Sequence, residues 1–173
     1  MRRLSSPTCS GSPAVAEVLD MPPPLRLHAA DEDAVRALGA RLAAAWVPGL
    51  VVYLHGDLGA GKTSLVRSVL RALGHQGAVR SPTYTLLEPY ALATAALCHL
   101  DLYRLRDPEE LEMLGLRDYL DGVWSCWIEW PGRGAGYLPP ADLDIRIDMA
   151  RQGRDLSLTG VSATGRRLLG ALP

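Results

Sequence analysis

The chain has 173 residues, of which 48% are hydrophobic and 21% charged. That is the make-up of one soluble globular domain with a single sizeable core, filled by Leu, Val, Trp and Tyr because phenylalanine is absent. A formal net charge of -1 excludes a global attraction to nucleic acid, so any RNA contact must be local or made through a partner.

Residues 1–24 are rich in Ser and Pro, and their apolar run over 14–19 is too short and interrupted for a signal peptide. They read as a disordered leader ahead of a folded domain over 25–173. Met21 stands just before that boundary and is a candidate physiological start; an intact mass beginning at Met1 in the native host would exclude it. No stretch approaches the roughly 18 apolar residues of a membrane span. Cys9, Cys98 and Cys126 lack paired metal-ligand spacing, and the last two lie in apolar runs, which suits buried thiols in a reducing cytoplasm.

Leu25 to His28 is a candidate first strand. Asp31-Glu32-Asp33 then opens a helix with an aspartate cap, acidic residues in the first turn, and Val35, Leu38, Leu42 and Ala45 on one face. Pro48-Gly49 ends it. Leu50 to Leu54 is a short apolar, β-branched run, the mark of a strand buried on both faces. After it, Gly56-Asp57-Leu58-Gly59-Ala60-Gly61-Lys62-Thr63 fits the G-x-x-x-x-G-K-[ST] phosphate loop at every fixed position. Leu65, Val66, Val69, Leu70 and Leu73 follow at helical spacing, and Gly74 supplies the stop.

The chemistry of a phosphate loop explains that spelling. Glycines let backbone N–H groups turn inward, and the helix aims its positive end at the phosphates. Lys62 would reach the β- and γ-phosphates while the Thr63 hydroxyl would ligate Mg²⁺. Lys62 is also the only lysine; the other 17 of the 18 basic residues are arginines. A compact ammonium is used here, where a planar guanidinium fork is no substitute. Nucleotide binding follows.

Beyond Gly74, Ser81-Pro82 reads as a turn and the segment from Thr83 to Tyr90 as a strand. Ala96 to Tyr103 makes a second strand and the pair a hairpin. Asp107-Pro108-Glu109-Glu110 starts a short helix through Leu114, broken by Gly115, with another turn over Arg117 to Leu120. Val123 to Ile128 is a compact apolar run and so a central strand, followed by Glu129-Trp130-Pro131 and a loop rich in Gly and Pro. Leu143, Ile145 and Ile147 alternate with Asp144, Arg146 and Asp148 in a half-exposed strand; Gln152-Gly153 turns the chain and Leu156 to Val161 returns antiparallel. Ser162 to Leu172 completes the chain as a helix. Strands interleaved with helices around a phosphate loop imply an α/β fold, a three-layer P-loop sandwich whose two hairpins make the central sheet mixed.

A phosphate loop needs acidic help for Mg²⁺ and for the attacking water. Glu129 would emerge at a strand's C-terminal edge, where α/β folds place ligands; the alternative is a solvated strand-end carboxylate. Asp101 shares a face with His99 and Tyr103 by the period of two, which equally describes the polar face of a half-exposed strand. Thr83 reads as a switch hydroxyl or as an ordinary turn residue. His99 reads as a packed histidine before a base, and Trp130 as a buried indole before a stacking platform or lid.

These blocks in this order resemble the bacterial TsaE family, the ATPase of tRNA threonylcarbamoyladenosine biosynthesis. The resemblance is carried by GDLGAGKT over 56–63, SPTYTLLEPY over 81–90, HLDLYRL over 99–105, DPEELEMLGLRDYL over 107–120, IEWP over 128–131 and QGR over 152–154, spanning about residues 25 to 165. The leader before Met21 has no counterpart in that pattern. The resemblance implies a mixed sheet of about seven strands, with Leu58, Gly59, Ala60, Gly61, Lys62 and Thr63 wrapping the phosphates of ATP or ADP. It also implies that Thr63 and Glu129 hold Mg²⁺, that Asp101 lies beside the nucleotide–metal centre, and that Glu32 and Arg154 border the nucleotide. TsaB- and TsaD-like proteins would be the partners, and the place of work the cytoplasm.

The expected reaction is attack of water on the γ-phosphate, with Lys62, Asp101 and Glu129 as the catalytic set. No arginine finger is assignable, so hydrolysis should be slow alone and faster with a docked partner. Two rival readings differ in kind. A P-loop small-molecule kinase would need an acceptor pocket and an arginine-rich lid, whereas the 132–140 loop holds only Arg133. A non-catalytic module would use ATP only to set a docking conformation.

Overall fold

A computed structural model describes residues 23–172; the leader expected over 1–24 lies, but for its last two residues, outside them. The strands are β1 (Leu25–Ala29), β2 (Val51–His55), β3 (Leu87–Ala91), β4 (Ala96–Asp101), β5 (Ser125–Glu129), β6 (Leu143–Met149) and β7 (Arg154–Gly160). The helices are α1 (Glu32–Ala44), α2 (Lys62–Ala72), the single turn α3 (Glu110–Met113) and α4 (Ala163–Ala171), with 3₁₀ turns at Leu116–Tyr119 and Pro131–Gly134. All seven strands join one sheet in the order β1-β7-β6-β2-β5-β4-β3.

The centre of that sheet is parallel: β2 lies between β5 and β6, and β4 adds to β5, all in the same direction. The hairpins β3–β4 and β6–β7, and β1 on β7, pair antiparallel. The sheet is therefore mixed, as the sequence predicts. One face carries Val52, Leu54, Leu97, Trp127, Leu143 and Ile145 against Leu38 and Leu42 of α1, Leu65 and Leu70 of α2, and Leu168 of α4. The other face, with Cys98, Leu100, Cys126 and Ile128, is covered by Leu111 of α3 and Leu116. Helices above and below a sheet make the third layer.

Local chemistry sets most element ends. Asp31 caps α1, its carboxylate accepting from the Ala34 N–H at 2.9 Å. Ser162 caps α4 through Gly165. Several boundaries differ from the sequence reading, among them the start of β7, which lies at Arg154 and not Leu156, and three that local bonds explain. The strand expected from Thr83 begins only at Leu87, because residues 83–85 form a turn that Leu86 closes in the left-handed region, at φ 62°. The strand expected from Val123 begins at Ser125, because the Asp121 carboxylate takes the Val123 and Trp124 N–H groups at 2.8 and 3.3 Å. The strand expected through Tyr103 stops at Asp101, whose own carboxylate takes the Tyr103 N–H at 3.1 Å. Nor is β4 half-exposed: all its residues after Ala96 are buried.

Candidate nucleotide site

The site lies where β2, β5 and β4 end, at the carboxyl edge of the parallel core, the position at which open α/β sheets bind ligands. Beyond His55 the chain passes through Gly56, Gly59 and Gly61, all at positive φ, and Gly61 (φ 106°) is the residue from which α2 starts. A side chain at Gly56 would meet the Ile147 carbonyl oxygen at 2.3 Å. Glycine is required there by space as well as by backbone conformation.

Lys62 opens α2 and is 4% exposed. Its ammonium donates to the Gly56 and Asp57 carbonyls at 2.7 and 2.9 Å and sits 4.0 Å from the centre of the Trp130 ring. Burial pulls its pKa below that of an ordinary lysine, opposed in part by Glu129, Asp101 and Asp57. Trp130 adopts φ 59° immediately after β5, which turns its ring over the loop, with the Tyr103 ring tilted 47° against it at a centroid distance of 5.0 Å. It is half-buried, packed against the core on the Cys98–Ile128 face of the sheet as well as lying beside the ammonium.

Thr63 donates its hydroxyl proton to Glu129 Oε1 at 2.7 Å, and His99 Nε2 meets the same oxygen at 2.9 Å. Asp101 is the register partner of Glu129 across β4 and β5. Its Oδ2 lies within hydrogen-bond reach of the Ser81 and Thr83 hydroxyls, themselves 2.7 Å apart, so that two hydroxyl protons are shared around a triangle of three oxygens. Asp101 and Glu129 are 4% and 3% exposed, so neither is a solvated strand-end carboxylate. Ser81 is the residue that sequence reasoning passed over; read as a turn former, it is also a partner of Asp101, and the Ser-Pro-Thr spelling was its only signal.

A pocket of about 280 Å³ brings together Leu58, Gly59, Gly61, Lys62, Thr63, Asp101 and Glu129. Gly61 also borders a larger cavity of about 570 Å³, lined by Glu32, Ala60 and Arg154 and walled by α1 and α2. Arg154 donates from Nε to the Ala60 carbonyl at 2.7 Å, tying β7 to the phosphate loop. The loop residues 58–63 with Glu32, Asp101, Glu129 and Arg154 therefore border one or other of two adjoining hollows, whereas His99 lines neither. Tyr103, expected on the face of His99 and Asp101, lies beyond the strand but still lines the smaller pocket.

The donor set suits Mg²⁺. Thr63 gives its proton to Glu129, so its hydroxyl lone pairs are left to accept a cation, and the neighbouring carboxylates are hard oxygen ligands. Among the described residues no three His, Cys, Asp or Glu side chains form a metal-holding group. Magnesium is ordinarily held by one or two carboxylates with phosphates and waters, so this sparse set is the expected kind. Among the described residues, too, no helix is long and apolar enough to cross a membrane.

Comparison with known proteins agrees across sequence and structure. A family model described as threonylcarbamoyl adenosine biosynthesis protein TsaE matches residues 29–156. A tRNA threonylcarbamoyladenosine biosynthesis protein TsaE of Haemophilus influenzae is 49% identical over 122 residues, 70% of this chain and 77% of that protein. Its namesake of Bacillus subtilis is 36% identical over 138 residues, 79% of this chain and 86% of that one. The crystal structure of Bacillus subtilis YdiB superposes with a TM-score of 0.74 at 29% identity, covering 86% of this chain and 93% of that one.

Proposed function

From the premise that this chain belongs to the TsaE family, we propose that it is a Mg²⁺-dependent ATPase of threonylcarbamoyladenosine biosynthesis in tRNA. It works in the cytoplasm with TsaB- and TsaD-like proteins, and meets tRNA through them. The observation that carries this reading is the convergence of a buried lysine, a threonine–glutamate bond and a second carboxylate on one glycine loop. The larger cavity, bordered by Glu32 and Arg154, takes the nucleoside, and the smaller one takes the phosphates.

The residues divide the work. Inward amides of residues 58–63 grip the phosphate oxygens, and Lys62 neutralises charge on the β- and γ-phosphates. Thr63 and Glu129 hold Mg²⁺, which when bound offsets charge on the phosphate oxygens. Asp101 sits across the pocket, held by two hydroxyls, and orders the attacking water. Arg133 lies with its guanidinium 5.9 Å from the Tyr103 ring; among the described residues lining the phosphate-side pocket there is no arginine, and Arg154 is engaged with the Ala60 carbonyl beside it. Slow hydrolysis by the isolated protein follows, with acceleration when a partner docks.

The test is reconstitution with the other modification components and labelled ATP. Omitting this chain should abolish repeated turnover of modified adenosine, and adding it should release phosphate to water. Phosphate passed instead to a small molecule would establish the kinase reading; modification at full rate without the chain would remove it from the pathway.

A further inference from the structure

We propose that His99 is a positioning residue that fixes the Glu129 carboxylate for the metal; this rests on the reading of Glu129 as a Mg²⁺-holding group given above. His99 lies within β4 and is wholly buried. An imidazole in the middle of a central strand costs stability unless its polar atoms are bonded, and an apolar residue would pack there without that cost. Its ring uses one nitrogen. Nε2 bonds Glu129 Oε1 at 2.9 Å, while Nδ1 is buried with no partner among the described residues. Because a carboxylate accepts, Nε2 carries the proton. The one side-chain hydrogen bond that His99 makes among the described residues goes to Glu129.

That bond and the one from Thr63 fall on the same oxygen. One donor comes from within the sheet and the other from the phosphate loop, so together they fix where Oε1 lies. No hydrogen bond among the described residues engages Oε2, and Glu129 lines the phosphate-side pocket. A glutamate left to itself gives up much of its rotamer freedom on being ordered. His99 takes up that ordering before the ligand arrives, as the outer partners of metal-holding groups do elsewhere.

The test is calorimetric titration of the full chain with ADP, in a chelator and across a series of Mg²⁺ concentrations. In chelator, the unaltered chain, His99→Leu and His99→Gln should bind ADP alike, because the phosphate loop is untouched. With Mg²⁺, His99→Leu should need about 10- to 100-fold more metal for the same gain in affinity. His99→Gln, whose terminal amide keeps a donor at similar reach, should recover most of that loss. Unchanged Mg²⁺ dependence in His99→Leu overturns the proposal, and so does a His99→Gln protein that folds but rescues nothing. If His99→Leu does not fold, His99→Asn replaces it: its shorter amide should fail where Gln succeeds, and equal behaviour of the two overturns the proposal. An unaltered chain that binds ADP without any Mg²⁺ dependence removes the parent reading, a result distinct from these.

Discussion

At the scale of single residues, the fate of Lys62 is decided by competition between burial and charge. Burial lowers its pKa, and the three nearby acidic groups do not fully restore it. Bound phosphates would add negative charge and hold the proton more firmly. Affinity for nucleotide should therefore be complete below the lowered value and decline as pH rises through it. That decline should begin before pH 10.4 or so, where an ordinary lysine releases its proton. Lys62→Met should weaken ADP binding about ten- to hundredfold, the worth of a charge-assisted hydrogen bond of roughly 1.5–3 kcal/mol, and should also lose the alkaline decline. Calorimetry at pH 7 and in the alkaline range measures both. A Lys62→Met protein with the same pH profile as the original would assign the titration to another group.

At the scale of elements, the walls of the larger cavity depend on how closely α1 and α2 approach. Gly39 of α1 faces Ser68 of α2, where an added Cβ would lie 2.4 Å from the Ser68 Cβ, 2.8 Å from its carbonyl carbon and 2.9 Å from the Val69 nitrogen. Two of those atoms are backbone, so no rotamer change relieves the contact. Gly39→Ala gains up to about 1 kcal/mol in helix propensity but must overpack the interface at about 1–3 kcal/mol. The steric effect wins. A lower melting temperature is expected, by about 2–4 °C per kcal/mol of net loss, with weaker nucleotide binding as Glu32 moves with α1. The elements that the sequence made legible are those determined locally: the strand–loop–helix unit, the Asp31 cap, the hairpins. What it hid depends on long-range partners. Asp101 read equally as a site carboxylate or as the polar face of a half-exposed strand, and His99 as a packed histidine; both are buried, and their partners, Glu129 and the Ser81–Thr83 hydroxyls, come from elsewhere in the chain. The turn over residues 83–85 is a consequence of the same bonds, so a strand propensity that holds locally is overridden there.

For the whole molecule, the parallel core points three strand ends, two of them carrying Asp101 and Glu129, at one loop, while β7, antiparallel to β6, brings Arg154 to the same loop. Such a frame can bind a nucleotide whether or not it hydrolyses it, so function turns on separating the two. Asp101 allows that separation. Among the described residues no hydrogen bond joins it to the amide cradle or to the Lys62 ammonium, and its bonds run to Ser81, Thr83 and the Tyr103 N–H. Asp101→Asn keeps the shape and the contact with Ser81 and Thr83, and so should retain nucleotide affinity within a few-fold. Hydrolysis should drop by about 10²-fold or more, the usual scale for losing a group that handles the reacting proton. In a reconstituted system this variant should modify tRNA poorly over repeated turnovers. Binding, phosphate release and modified adenosine are read from the same preparation. If the variant binds ATP, releases no phosphate and still supports full modification, then ATP acts on the assembly by occupancy alone, and the two hollows form a docking switch with no hydrolytic role.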